Sequence, residues 1–189
     1  KKKKKKKKKV TGLGNEQKIL QNGDFETFNG VIPNGGVVTL NAQDSRLQNW
    51  TISQGSIDIM DASILGLSGK IIDLNGVDAG IITQTVTLIQ SRQYTLSFSM
   101  SADPASMITR SVRVKIGNVV RDFDFIPSAT PRVQKYQISF TSSVSSNIVS
   151  FQSLNQGLYG PLIDNIAFHF SSDFFFFFFF FFFFFFFFF

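Results

Sequence analysis

The sequence predicts an all-β fold, a jelly-roll sandwich formed by a single domain, and three observations predict it. Short apolar runs alternate with Ser and Thr at period 2 from Val37 to Phe170, and no stretch sustains a helical period over a useful length. Gly, Asn and Pro separate those runs at close intervals, as strand-turn-strand chains require. Finally, Asn22-Gly23-Asp24-Phe25-Glu26 near the start and Gly160-Pro161-Leu162-Ile163-Asp164-Asn165-Ile166 near the end both place carboxylates beside apolar residues. In jelly rolls the first and last strands pair, so the two stretches are expected to meet.

The elements follow in order. Val10–Leu20 is a polar lead-in, with Lys18-Ile19-Leu20 able to start a strand. Asn22-Gly23-Asp24 is turn chemistry, after which Phe25 points inward. A Gly-, Asn- and Pro-rich loop over residues 29–36 leads to a short strand at Val37–Leu40. Leu47–Ser53 and Ser56–Met60 flank Gln54-Gly55 and read as a hairpin, with Trp50 and Ile52 inward on one arm, Ile57 and Ile59 on the other. Ala62–Gly69 offers at most one helical turn, and Lys70–Leu74 is a strand ending at Asn75-Gly76.

Ile81–Leu88 alternates Ile82, Gln84, Val86 and Leu88 against threonines, and Tyr94–Met100 alternates Tyr94, Leu96, Phe98 and Met100 against Thr and Ser. Ser111–Ile116 and Val119–Phe125 are joined by Gly117-Asn118, a two-residue hairpin turn. Val133–Phe140 turns Tyr136, Ile138 and Phe140 inward; Asn147–Leu154 and Leu162–Phe170 complete about ten strands. In the closing strand a strict period puts Asp164, Ile166, Phe168 and Phe170 on one face, with Ile163, Asn165, Ala167 and His169 on the other.

Two segments stand outside this pattern. Residues 1–9 are all lysine and residues 174–189 all phenylalanine, so both read as added or placeholder residues rather than folded chain. The phenylalanine run is also shorter than the ~20 mixed apolar residues of a membrane span, and no span is established. Residues 10–21 form the lead-in and 22–173 the sandwich.

Without the lysine run, the 19 basic residues fall to 10 against 13 acidic ones, a net charge near −3. The domain therefore has no basic surplus and no motif for nucleic acid. Cysteine is absent, which excludes disulfides and cysteine zinc sites and leaves the compartment open.

Six short motifs, in order, carry a family resemblance: Gln21-Asn22-Gly23-Asp24-Phe25-Glu26, Trp50-Thr51-Ile52-Ser53, Ile72-Asp73-Leu74-Asn75-Gly76, Ile82-Thr83-Gln84-Thr85, Tyr94-Thr95-Leu96-Ser97-Phe98 and Tyr159-Gly160-Pro161-Leu162-Ile163-Asp164-Asn165-Ile166. Spanning Ile19–Phe168, they resemble the choice-of-anchor C family of surface proteins, related to a plant cell-wall family of unknown function. The resemblance implies a galactose-binding-like jelly roll, an extracellular or cell-surface location, and carbohydrate association without catalysis. Plant members carry two tandem domains and cysteines; this chain, with one domain and none, is closer to the bacterial branch.

Two candidate sites emerge. Asp24, Glu26 and Asp164 would supply hard oxygens for a structural Ca2+, as related carbohydrate-binding jelly rolls do at an equivalent Phe-Glu and closing-strand Asp. The plainer reading gives Asp24 and Asp164 turn N–H groups and leaves Glu26 to solvent. For a glycan, Tyr159 is the best exposed aromatic, with Asn155 and Gln156 as hydrogen-bonding neighbours; a corner tyrosine bonded to backbone is the competing reading. Trp50 and Tyr94 occupy inward phases and are expected in the core.

Asn49-Trp50-Thr51 matches a glycosylation acceptor, a pattern common by chance. His169 is the only histidine, and no serine sits in Gly-x-Ser-x-Gly, so an enzyme has the least support. The leading expectation is a structural subunit that self-associates, its terminal runs docking on neighbours; extended, nine residues reach ~30 Å. The alternative is a monomeric glycan-binding module recognising a wall or matrix polysaccharide.

Overall fold

The computed structural model describes residues 19–104, 106–128 and 132–170. The lysine run, the lead-in through residue 18 and the phenylalanine run lie outside the described residues. Among the described residues eleven strands form: β1 (Val37–Asn41), β2 (Thr51–Gln54), β3 (Ser56–Asp61), β4 (Lys70–Asp73), β5 (Ile81–Thr87), β6 (Gln93–Ser101), β7 (Arg110–Ile116), β8 (Val119–Phe125), β9 (Gln134–Thr141), β10 (Ser146–Ser153) and β11 (Leu162–Phe170). They make two antiparallel sheets, one ordered β1-β3-β4-β11-β6-β9 and the other β2-β5-β10-β7-β8. The all-β jelly-roll sandwich is what the alternation predicted.

The core lies between the sheets. Tyr94, Leu96, Phe98 and Met100 on β6 meet Val112, Val114 and Ile116 on β7 and Val149 and Phe151 on β10, all buried. Gln84 shares the inward phase of Ile82 and Val86 and is buried with them. Its amide is satisfied by the backbone of Gln21, whose N–H it accepts at 2.7 Å and whose carbonyl it bonds at 2.9 Å. A second, smaller cluster of Met60, Ile71 and Leu162 is capped by Ala62 and Leu65 of the 3-10 turn Ala62–Leu65. That turn starts where Asp61 accepts the Ser63 N–H at 2.8 Å and ends at Gly66, whose φ of 70° suits glycine.

Three expectations are corrected. Thr51–Gln54 and Ser56–Asp61 are not a hairpin: β2 pairs with β5 in one sheet, whereas β3 pairs with β1 and β4 in the other. The Gly55 turn, at φ 63°, carries the chain across the sandwich, and a Cβ there would collide with the Ala79 carbonyl. Ile19-Leu20 is a bend rather than a strand, although Leu20 is buried. And β11 does not keep one period, because between Asp164 and Ala167 it holds one residue more than β6 does. This bulge, with Asn165 at φ 54°, brings Ile163 and Ile166 into the same core and leaves Asp164 off the face of Ile166.

The bulge also closes the domain. A bulged residue leaves a backbone donor outside the ladder. Here the Ile166 N–H finds the Gly23 carbonyl at 2.8 Å. The Asn22–Glu26 turn and the closing strand therefore meet, through one bond at the bulge rather than a paired first strand. Gly23 has no room for a side chain, since a Cβ would overlap the Ile166 carbonyl.

Beside it Asn22 bonds its amide to the carbonyls of Thr27 (3.0 Å) and Gln48 (2.8 Å) and accepts the Thr27 N–H at 2.9 Å. The Trp50 indole N–H reaches the Asn22 carbonyl at 2.9 Å, and Phe25 packs 5.8 Å from the Trp50 ring. Replacing Gly23 by Ala is expected to cost at least about 2 kcal/mol, seen as a lower urea midpoint with an unchanged slope. An unaltered midpoint would show that the closure can shift without loss.

Candidate functional site

The carboxylates expected to share a cation are held close to that closure. Glu26 is already occupied: it accepts the Lys70 backbone N–H at 2.7 Å and the Lys70 ammonium at 2.9 Å. Asp164 turns back on its neighbour, accepting the Asn165 backbone N–H at 2.6 Å and side-chain amide at 2.9 Å. Burial pushes the Asp164 carboxyl up to about 6; the Asn165 N–H opposes the rise, and the negative charges of Glu26 and Asp24 add to it.

The three acids are thus near enough to feel one another. Among the described residues, however, no group of three or more His, Asp or Glu side chains stands in a position to hold a metal ion. In this arrangement Glu26 is closed by Lys70.

Over the bulge a groove of about 430 Å³ is lined by Asp24, Ser97, Ser99, Lys135, Asn165 and His169. In it Ser97 Oγ and His169 Nε2 lie 2.9 Å apart. A nucleophilic serine needs a base that a third group orients and donors for the oxyanion. This pair sits on an exposed strand face, and the serine hydroxyl also lies 3.5 Å from the Ala167 carbonyl. The arrangement is that of a surface hydrogen bond. Sequence reasoning gave Ser97 and Ser99 outward positions without joining them to His169, because the register between β6 and β11 depends on the bulge.

The residues expected to meet a glycan lie at one end of the sandwich, in the connection from β10 to β11. Tyr159 is 44% exposed, and its ring centroid lies 6.0 Å from Cζ of Arg110. Gln156 and Leu158 are exposed beside it. Asn155 is spent on structure instead: its Oδ1 accepts the Ser111 N–H at 2.7 Å and its Nδ2 bonds the Thr109 carbonyl at 2.9 Å, bracketing Arg110. Trp50 and Tyr94 are buried, as their phases predicted.

Beneath that connection is a polar cluster that sequence reasoning missed. Asp73, 4% exposed, accepts the N–H groups of Asn75 at 2.8 Å and Gly160 at 2.9 Å. A Cβ on Gly160 would overlap Asp73 Oδ1 and Asn75 Oδ1, so this approach requires glycine. Asn75 bonds the Gly157 carbonyl at 2.7 Å and the Asn155 carbonyl at 3.2 Å, fastening the connection down. Burial drives the Asp73 carboxyl up to about 7; the two N–H bonds and Arg110 pull it down, and Asp58 pushes it further up. Arg110 itself is buried, and burial lowers its pKa. The Asp73-Leu74-Asn75-Gly76 turn was legible, but a carboxylate two residues before a turn gave no sign that Gly160 would be its partner.

A model of the protein family described as "Protein of unknown function (DUF642)" matches residues 18–169. The chain belongs to that family. No curated protein matches it.

Among solved structures, it resembles TmCBM61, a carbohydrate-binding module in complex with β-1,4-galactotriose, at 12% identity and TM-score 0.52, covering 82% of this chain and 99% of that one. A second carbohydrate-binding module, CBM4, aligns at 17% identity and TM-score 0.48 over 80% of this chain and 99% of that one. A family 35 module from Clostridium thermocellum aligns at 14% identity and TM-score 0.43, covering 75% and 98%. At these identities the likeness concerns the fold.

The buried acid gives a pH test. A folded carboxyl raised from 3.8 to about 7 binds its proton more tightly than the unfolded one. Its contribution is therefore complete below pH ~4 and is lost as pH rises through 7, with Asp164 acting in the same sense up to about 6. The Tm should fall from pH 5 to pH 8, and Asp73→Asn, which still accepts both N–H bonds, should remove most of that fall. An equal slope in the variant would acquit Asp73.

Proposed function

We propose that this DUF642 protein is a non-catalytic glycan-binding module that works outside the cell or at its surface. The observation that carries the proposal is Tyr159, an exposed aromatic ring in a glycine-bounded connection at the end of a rigid sandwich. The apolar faces of sugar rings lie flat on such rings, and neighbouring polar groups such as Gln156 set orientation. The same architecture holds β-1,4-galactotriose in TmCBM61, which supports the reading without assigning that sugar here. Membership of the choice-of-anchor C branch is part of the proposal and rests on the six motifs. So does the absence of catalysis, supported by the isolated Ser97–His169 contact.

The polymer-subunit expectation gains no such support. It depended on the terminal runs, which lie outside the described residues. The glycan reading takes its place. Isothermal titration against a panel of soluble wall and matrix oligosaccharides tests it. Tyr159→Ala should weaken the best ligand by roughly tenfold or more at unchanged Tm. Gln156→Ala should weaken it less. Asn155→Ala should instead lower the Tm, because its amide ties β7 to the β10–β11 connection. Wild-type protein that binds no member of the panel would refute the proposal.

Calcium at Asp24, Glu26 and Asp164 is a separate proposal, and it requires Glu26 to release Lys70. Added calcium would then raise the Tm of the wild type and leave Asp164→Asn unchanged. A wild-type Tm indifferent to both calcium and chelator would dismiss it.

A further inference from the structure

Arg110 opens β7 and follows the inward phase of Val112, Val114 and Ile116, so its side chain enters the end of the sandwich. It is 1% exposed, yet its Nε and Nη2 have no hydrogen-bond partner among the described residues. A buried guanidinium with unmet donors is strongly destabilising unless something else satisfies them. The two unmet groups are adjacent. Nε–H and one Nη2–H project in parallel from the same edge of the guanidinium, the edge that grips a carboxylate with two bonds.

The surroundings suit a single negative charge. Asp73 and Asp103 both act on the Arg110 charge, but neither hydrogen-bonds its Nε or Nη2. Asp73 has its Oδ1 engaged with two backbone N–H groups and retains its proton to about pH 7. The Tyr159 ring centroid lies 6.0 Å from Cζ of this guanidinium, and Tyr159 is 44% exposed. Asn75 holds the Gly157 carbonyl at 2.7 Å, two residues before Tyr159, so a ligand reaches this edge only where the Tyr159 ring itself turns aside. Met107, Ile108 and Leu158 form exposed apolar neighbours in the connections at this end.

We propose that this end of the sandwich is a subsite for a uronic acid residue: the sugar ring stacks on Tyr159, and its carboxylate is held by Nε and Nη2 of Arg110. The proposal rests on the glycan-binding reading and names the sugar class within it. The ligand's planar carboxylate supplies the acceptors that the fold leaves out. A sulfate ester offers the same charge and can also meet the fork, so the test separates it from a carboxylate.

The test is titration of the full chain at pH 6 with a uronic acid tetramer, its methyl ester and a sulfated neutral tetramer. The acid should bind at least roughly tenfold more tightly than the ester, with the sulfated chain close to the ester. Arg110→Lys keeps the charge and loses the fork, so it should erase the preference. The preference should also shrink from pH 6 to pH 8 as Asp73 ionises beside Arg110.

Equal wild-type affinities for acid and ester would overturn the inference; if Tyr159→Ala then weakened both, the glycan reading would stand. Sulfated chains binding as tightly as the acid would overturn it too. Failure of every tetramer to bind would overturn this inference, and the glycan reading would then stand or fall on the oligosaccharide panel. Should Arg110→Lys not fold, the wild-type comparison of acid with ester decides alone.

Discussion

The hydrogen bond from Ile166 to Gly23 is the constraint on which the rest of this domain depends. It exists because β11 carries one surplus residue, and that residue turns a backbone donor out of the sheet. The donor fixes the turn that holds Asn22, and Asn22 in turn receives Trp50 and braces Thr27 and Gln48. Phe25, Trp50 and Phe151 then pack in series from that turn into the core, tilted at 5.8 Å and edge-on at 6.3 Å between ring centres. A backbone irregularity in the closing strand thus sets the packing around Asn22.

The same economy governs the charges. Glu26 and Asp164 lie beside the closure and are balanced locally, one by Lys70 and the other by Asn165. At the far end, Asp73 is sustained by N–H groups and Arg110 by distant acids. The first pair of groups is built to hold a turn against the sheet. The second leaves a guanidinium edge without a hydrogen-bond partner among the described residues.

The strands were legible in the sequence because burial on one face imposes period 2, and every inward residue of Tyr94–Met100 is buried as read. Two features escaped for physical reasons. A two-residue turn after Trp50-Thr51-Ile52 looks the same whether its strands pair or part, and only the crossing partners β5 and β4 decide. A bulge costs one residue and leaves no mark beyond Asn165, an ordinary occupant of positive φ.

Of the candidate site, Tyr159 was legible from its flanking glycines. Arg110 was not, since a strand-edge arginine normally lies in water, and Asp73 depends on Gly160, 87 residues away.

The last strand occupies an inner position of its sheet, between β4 and β6. A ribosome must therefore release the chain through Phe170 before either half of that sheet has its neighbour. Until then β4 and β6 expose bare edges that invite pairing with other nascent chains. Synthesis is consequently all-or-none for this domain, and a product cut short before β11 would be handed to chaperones or proteases rather than kept as a smaller working piece.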